Sequence, residues 1–458
     1  MMPEPLVESQ LERVVLPLTD LGNAERLVAS HGEDLRFAPG LGWFAWDGRR
    51  WRRDIDGEVV RRAKRTVRSM YADAERVEET EERKKLLAHG LRSESEARLR
   101  AAVKLAETER PVIVEPKQLD ADPWLFNCAN GTIDLRDGTL REHRREDLLT
   151  RITRVVYDPE ARADQWDSSL DRATNGNDEL AGFLRRAVGY CLTGHTSEDK
   201  LFFVHGPTAT AKSSLLEAIK AVLDEYALTA DFETFLKRRG DAGIRNDIAR
   251  LDGARLVMSI EVDEGKALAE GLVKMLTGGD MVAARFLYRE TFEFIPVFKL
   301  WLAANARPRA NADDDALWRR IVQVPFTEVI PESERDERVK LRLRTDPDVQ
   351  AAILAWAVRG CLEWQERGLD VPDCVRDYTN EYRAENDPLR DWLADCCELD
   401  PGAWTSTADL RHSYEGWCQA NGEDRPVSAK RLGTLLAARG LAEERPSGVR
   451  GRSGIRVC

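Results

Sequence analysis

The sequence has no cysteine pair at Cys-x-x-Cys spacing and no Cys/His cluster with the spacing of a zinc site. Its eight cysteines (Cys128, Cys191, Cys361, Cys374, Cys396, Cys397, Cys418 and Cys458) therefore read as reduced and mostly structural. That excludes a disulfide framework or a zinc ribbon and sets the expectation of a cytoplasmic protein. No apolar run reaches the ~20 residues that span a bilayer, so no membrane partner is expected. The opening stretch MMPEPLVESQLERV lacks the basic-then-apolar pattern of a secretory signal. The six histidines are scattered, and there is no internal repeat or low-complexity tract. Positive charge is also short overall: the formal net charge is −12 and the pI about 5.3. The chain is no polycation, and contact with nucleic acid must use local patches. Residues 49–68 carry nine Lys/Arg against three acids, and residues 425–458 carry eight against two. Either run can also be an ordinary solvated face.

What is present is concentrated in residues 201–223, LFFVHGPTATAKSSLLEAIKAVL. Leu201–Val204 reads as a buried strand, and Leu215, Leu216, Ile219 and Val222 form the apolar side of a helix. Between them lie Gly206, Pro207, Thr208, Ala209, Thr210 and Ala211, then Lys212, Ser213 and Ser214. A strand, a small-residue loop, Lys-Ser and a helix make a phosphate-binding loop, with backbone N–H groups and the helix N-terminus facing the phosphates. Lys212 would neutralise the β- and γ-phosphates, and Ser213 would offer its hydroxyl to Mg²⁺. The cofactors expected are thus ATP and Mg²⁺. Ala211 departs from the pattern, which has Gly before the Lys; its methyl crowds the phosphate or disfavours a backbone with φ > 0.

Further motifs follow. Leu256–Ile260 reads as a strand ending in Glu261, Asp263 and Glu264, about fifty residues past Lys212. Such acids order Mg²⁺ (Glu261 with Ser213) and polarise the attacking water. KLWLAAN, residues 299–305, is another buried strand, and it ends in Asn305. Arg307, Arg309, Arg319 and Arg320 come next; Arg319-Arg320 is the preferred source of an arginine for a neighbouring subunit's γ-phosphate, with a salt bridge beside Asp313–Asp315 as the alternative. Residues 281–298 alternate as a hairpin that would project Arg285, Tyr288 and Arg289 towards nucleic acid, or form a plain edge hairpin.

Elsewhere, Gly40, Gly42, Asp47-Gly48 and Asp56-Gly57 punctuate a small β-meander leading into a helix from about Val59. Trp43, Phe44, Trp46 and Trp51 either stack on bases or, more commonly on a pleated sheet, form a small core. Residues 72–108 read as a charged helical stretch. Asn130-Gly131 and Asp137-Gly138 mark a β-hairpin within 122–143. Residues 165–196 read as helical, and a helical section covers 350–400. Beyond Pro401-Gly402, residues 405–422 read as a helix pair, 428–440 as a further helix and 448–457 as a basic hairpin. That is a winged-helix layout, with Lys430 and Arg431 on the recognition helix and Arg450, Arg452 and Arg456 on the wing; protein docking is the alternative use.

LGWFAWDGRRWRRD, NGTIDLRDGTLREHRREDLLTRIT, the phosphate loop, LVMSIEVDEG, LTGGDMVAARFLYRETFEFIPVFKLWLAAN and LWRRIVQVPF, in that order, resemble the phage/plasmid-type superfamily 3 helicases, the group that includes the poxvirus primase-helicase. The resemblance covers most of the chain. It implies an α/β fold with an AAA+-type P-loop ATPase core, a small N-terminal α+β region and a C-terminal winged helix. It further implies an ATP-driven hexameric ring that moves along single-stranded DNA in phage or plasmid replication, with a separate primase or replication-initiation protein as a possible partner. Asn305 becomes the sensor, Glu261 the main strand-end acid, Arg319 or Arg320 the trans-acting finger, and residues 285–289 the DNA-gripping hairpin. The first hundred residues lack a primase carboxylate cluster, so no primase activity is expected. The expected segments are 1–115 (N-terminal region), 116–174 (hairpin and linker), 175–345 (ATPase), 346–402 (helical) and 403–458 (winged helix). Two other functions fit the same residues: a DNA-binding ring with little turnover, and a P-loop ATPase of defence or DNA packaging.

Overall fold

The computed structural model describes residues 16–237, 246–260, 266–285, 291–423 and 426–458. The chain divides into two compact units: residues 1–159 with 224–226, and residues 160–223 with 227–458.

The first unit opens with α1 (Asp20–His31) and a meander of β1 (Leu35–Ala38), β2 (Gly42–Trp46) and β3 (Trp51–Arg53), paired antiparallel in that order. α2 (Glu58–Glu75) follows because Asp54 caps it: its carboxylate accepts the backbone N–H groups of Gly57, Glu58 and Val59 at 2.8–2.9 Å. Val59, Ala63, Val67 and Met70 recur at helical spacing and bury against α1 and Leu99 of α4. The charged stretch after α2 breaks into α3 (Thr80–Ser93) and α4 (Glu96–Ala106). β4 (Leu125–Cys128), β5 (Gly131–Asp134) and β6 (Thr139–Arg141) form a second antiparallel sheet turning at the two expected Gly positions. Trp51 and Phe44 are buried with Ala38 and Val114, so these two rings are core rather than a stacking surface. The basic run is interleaved with acids that neutralise much of it: Arg52 and Arg61 meet Asp56, and Arg62 meets Glu58.

In the second unit the expected helix over 165–196 is two helices, α5 (Asp164–Thr174) and α6 (Asp178–Leu192). The break is a left-handed C-cap at Asn175. A parallel sheet follows, built from β7 (Leu201–His205), β8 (Ala227–Thr229), β9 (Leu256–Ile260), β12 (Lys299–Ala304) and β13 (Ile321–Pro325), in the order β13-β7-β12-β9-β8. β7, β9 and β12 are buried on both faces, which explains why they read as continuous apolar runs. α7 (Lys212–Leu223), α8 (Asn246–Ala249), α9 (Glu270–Thr277) and α10 (Asp315–Trp318) connect them. β10 (Val282–Arg285) and β11 (Thr291–Phe294) pair antiparallel as a separate ribbon. The architecture is therefore mixed α/β with a parallel central sheet.

α11 (Glu337–Thr345), α12 (Pro347–Arg367), α13 (Asp373–Glu385) and α14 (Arg390–Cys396) complete the helical section. α12 lies backbone-close on α6: a Cβ on Gly189 would meet the Cys361 nitrogen at 2.1 Å, and one on Gly360 would meet the Arg185 carbonyl oxygen at 1.9 Å. The tail contains β14 (Cys397–Glu398), β15 (Trp404–Ser406), α15 (Thr407–Ala420), α16 (Ala429–Ala438), β16 (Glu443–Glu444), β17 (Gly451–Ser453) and β18 (Arg456–Val457). Two expectations are corrected here. Residues 405–422 hold one helix, α15, because its apolar positions Leu410, Tyr414 and Cys418 stay on one face without a break. Residues 448–457 form no hairpin of their own: β17 pairs with β15 and β16, while β18 pairs with β14.

Candidate active site

The loop between β7 and α7 is shaped by close approach and left-handed backbone. Gly206 passes so near the end of β13 that a Cβ would lie 1.8 Å from the Phe326 carbonyl oxygen. Ala209 and Ala211 both hold positive φ, +63° and +65°. Left-handed residues thus flank Thr210 on either side, and left-handed turns of this kind are where backbone N–H groups form anion-binding nests. Ala211 thus occupies the conformation in which glycine is favoured, and it does so with a methyl group.

Thr208, Ala209, Thr210, Ala211, Lys212, Ser213 and Ser214 line a cleft of about 310 Å³ together with Ile260, Ala303, Ala304 and Asn305. The cleft sits at the C-terminal edge of the parallel sheet, where ligands of open α/β folds bind. Loop, helix start and Asn305, which are far apart in sequence, converge there. Gly206 and Pro207 contribute carbonyls instead: Lys212 Nζ donates to the Gly206 oxygen at 2.7 Å, and also to the Pro207 oxygen and Thr210 Oγ1. Lys212 is 6% exposed, and burial lowers its pKa from the usual lysine value. Among the described residues no carboxylate pairs with it. A buried cation held only by neutral oxygens beside hydroxyls and backbone amides matches a polyphosphate, so the donor set fits ATP and Mg²⁺.

Glu261, Asp263 and Glu264 lie outside the described residues. Ile260, the residue before them, lines the cleft. Tyr288 and Arg289 are also outside the described residues; Arg285, at the end of β10, is exposed.

Arg319 and Arg320 are at the other end of the sheet. The Arg320 carbonyl accepts the N–H of Leu201, the first residue of β7, at 2.8 Å. The loop that begins at Gly206 follows the last residue of β7, roughly 15 Å away at ~3.3 Å per residue. The two arginines differ. Arg319 is exposed, whereas Arg320 is 9% exposed and donates to the Ala316 carbonyl at 2.7 Å. Neither pairs with the neighbouring aspartates: Asp313 meets Arg431, Asp314 meets Lys274, and Asp315 meets Arg383.

The tail cations also separate. Lys430 is exposed. Arg450 pairs with Glu443, and Arg456 with Glu398 and Asp400. Arg452 is a correction: it is 7% exposed and donates to the Leu441 and Gly433 carbonyls at 2.9 and 2.7 Å, so it holds α16 to the sheet and is not free to meet a phosphate.

One group escaped the sequence reading. His205, the residue before Gly206, bonds through Nδ1 to the Tyr378 hydroxyl at 2.7 Å. Burial, then Arg307 and then Lys212 push its pKa down to about 4. Arg307 stacks over Tyr378 at 4.6 Å, donates to Gln323 Oε1 at 3.0 Å and pairs with Glu381 and Glu385. This chain ties the base of the loop to α13. Nothing local in the sequence joins positions 205, 307 and 378; only the position of His205 beside Gly206 was a signal.

A parallel α/β sheet with a cleft at its C-terminal edge narrows the class, and comparison with known proteins narrows it further. Residues 24–175 match the family described as "D5 N terminal like". The chain is 26% identical over 339 residues to a protein of Acanthamoeba polyphaga mimivirus whose name marks it as an inferred helicase, covering 69% of this chain and 35% of that protein. A similarly named protein of Frog virus 3 is also 26% identical, over 66% of this chain and 39% of its own length. "Primase D5" of Fowlpox virus is 23% identical over 47% of this chain and 29% of its own length. The chain thus spans a little over a third of the length of the first two relatives, 35% and 39%. Among solved structures, the apo C-terminal region of NrS-1 is similar at a TM-score of 0.44 and 11% identity, over 76% of this chain and 87% of that one. These matches relate the chain to the D5-like primase-helicases and, with its motif order, to the superfamily 3 helicases. Among the described residues no helix is long and apolar enough to cross a membrane.

Proposed function

We propose that the chain is an ATP-driven DNA helicase motor that works as a homo-oligomeric ring, most simply a hexamer, on single-stranded DNA during phage or plasmid replication. The observation that carries this reading is the cleft itself: a buried Lys212 without a described carboxylate partner, a nest-forming loop, Ser213 and Asn305 on one sheet edge. Mg²⁺-ATP, when bound, supplies the phosphoryl group that is transferred to water. Lys212 would exchange its loop carbonyls for phosphate oxygens, Ser213 and Glu261 would hold the metal, and Asn305 would orient the attacking water. Arg319 would stabilise charge on a neighbour's phosphates. α15, α16 and the β15-β17-β16 sheet form the winged helix of this reading, with Lys430, Arg431, Arg450 and Arg456 facing DNA. A separate primase or initiator is the expected partner.

Lys212→Ala should lower ATP turnover by on the order of 10²–10³ and abolish strand displacement. Turnover at the parent rate would refute the site. A second reading, a DNA-binding ring with little turnover, is favoured by one observation: the left-handed Ala209 and Ala211. DNA-stimulated ATPase activity together with unwinding of a forked duplex separates the two.

A further inference from the structure

The three consecutive aspartates between Asn305 and Arg319 are each tied to a different element. Asp315 pairs with Arg383 of α13, Asp314 with Lys274 of α9 at 2.7 Å, and Asp313 with Arg431 of α16 at 2.6 Å. Burial pushes the Asp314 carboxyl up, but Lys274 and the backbone N–H groups at Leu317 and Ala316 outweigh it and hold its pKa below the usual value. Arg431 also donates to Asn311 Oδ1 at 2.8 Å. The same segment is gripped from α13: Arg383 donates to the Ala312 carbonyl at 2.8 Å, and Asn386 accepts the Ala310 N–H at 2.8 Å. A second tie runs from Arg439, just past α16, to Asp387. The segment ends in α10, and the Arg319 N–H bonds the Asp315 carbonyl at 3.0 Å. So the face of α16 that carries Arg431 rests on the stretch of chain that presents Arg319.

Arg431 is 42% exposed and Asp313 28%, so solvent and competing anions reach the pair. A guanidinium accepts a carboxylate and a phosphate in the same way. We propose that Asp313 and Asn311 give Arg431 an intramolecular substitute for a DNA phosphate, and that duplex DNA competes for this guanidinium and releases the segment bearing Arg319. The C-terminal domain is then coupled to the motor through one exchangeable ion pair. This rests on the reading above, in which α16 faces DNA and Arg319 acts in hydrolysis.

The test removes the pair from each side in the full-length protein. Binding of a 30-base-pair duplex and ATP turnover with and without it are measured. Asp313→Asn frees Arg431, so duplex affinity should rise about two- to fivefold, the equivalent of one part-exposed ion pair. Arg431→Gln frees the segment but removes a phosphate contact, so affinity should fall and the salt slope should shrink by about one. On ATP turnover the two variants should agree. Each should move the DNA-free rate towards the DNA-bound rate of the parent and shrink the remaining effect of DNA, because each leaves the segment as released DNA-bound protein does. Asp313→Glu should restore parent behaviour. If Arg431→Gln weakens binding while Asp313→Asn changes neither affinity nor the DNA effect on turnover, the competition is refuted and the DNA-facing reading of α16 stands. If Arg431→Gln binds duplex as the parent does, that reading falls and the competition with it.

Discussion

Replacing Ala211 by glycine should stabilise the protein, an unusual direction for a substitution that removes atoms. Ala211 holds φ +65°, where the Cβ of an L-residue presses on the following carbonyl; that costs about 1–2 kcal/mol. Glycine removes this term but adds about 0.4–1 kcal/mol of unfolded-state entropy. The balance is a gain on the order of 0.5–1 kcal/mol. Ala211 lines the cleft and is half-buried. Ala209→Gly, at φ +63°, should behave alike. Ala221→Gly, inside α7, supplies the opposite sign: a helical alanine replaced by glycine loses about 1 kcal/mol. The assay is urea unfolding of the three variants against the parent, with the midpoint of the same transition compared. ATP affinity measured in parallel should hold or rise for Ala211→Gly, since the methyl beside the phosphate site is gone. If Ala211→Gly lowers the midpoint as far as Ala221→Gly does, the left-handed assignment is wrong. If stability rises while ATP binding collapses, the loop is built around the methyl.

Further outcomes follow from the same geometry. Arg319→Ala should block hydrolysis while leaving stability and ATP binding intact, and mixing it with Lys212→Ala protein should restore some activity; no recovery at any ratio counts against a trans-acting arginine. Arg320→Ala should instead cost about 1–3 kcal/mol of stability, because a buried hydrogen-bonded guanidinium is removed. His205 is neutral in the fold well below its ordinary pKa, so the unfolded chain binds the extra proton between about pH 6.5 and pH 4. Its contribution is present above about pH 6.5 and is lost as pH falls towards 4. His205→Gln should show a shallower fall in stability across that window, and parallel curves for the two proteins would refute the assignment.

The parallel strands were legible because burial on both faces leaves an apolar run with nothing else to explain it, as in Leu201–Val204 and Leu256–Ile260. The meander of the first unit was legible from its turns, since Gly40, Gly48 and Gly57 all hold positive φ. The strand, small-residue loop and helix around Lys212 were legible as a pattern, and Ala211 stood out in it before its backbone angle was known. What sequence could not supply was pairing between distant positions. Arg452 and Arg456 are equally basic on paper, yet one is buried under α16 and the other is on the surface, paired to acids. The break between α5 and α6 was missed although residues 175–179 (NGNDE) carry no apolar side chain; the left-handed cap at Asn175 is the stop. Arg319 and Arg320 are adjacent and identical in type; only α10 and the start of β13 decide which is turned inward.

The tail is tied to the segment before Arg319 through the Arg431–Asp313 pair. Lys212 and Asn305 are at the C-terminal edge, and Arg319 precedes the N-terminal edge, so one chain cannot bring Arg319 to its own phosphates across the length of β7. If Arg319 acts at all, it acts on another copy, and its placement becomes a property of the interface. The segment that sets this placement is fixed within the chain by α9, α13 and α16 together. Two of those ties are to α9 and α13. The third is to α16 of the tail, through a part-exposed pair. If the chain is the proposed motor, this tie would let it respond to DNA, because the same guanidinium cannot hold the aspartate and a phosphate at once. Salt offers a separate check: screening weakens the Arg431–Asp313 pair more than the half-buried Lys274–Asp314 pair, so raising ionic strength without DNA should shift the parent's turnover in the direction DNA does and leave Asp313→Asn unmoved. Equal salt responses in parent and variant would place the control elsewhere.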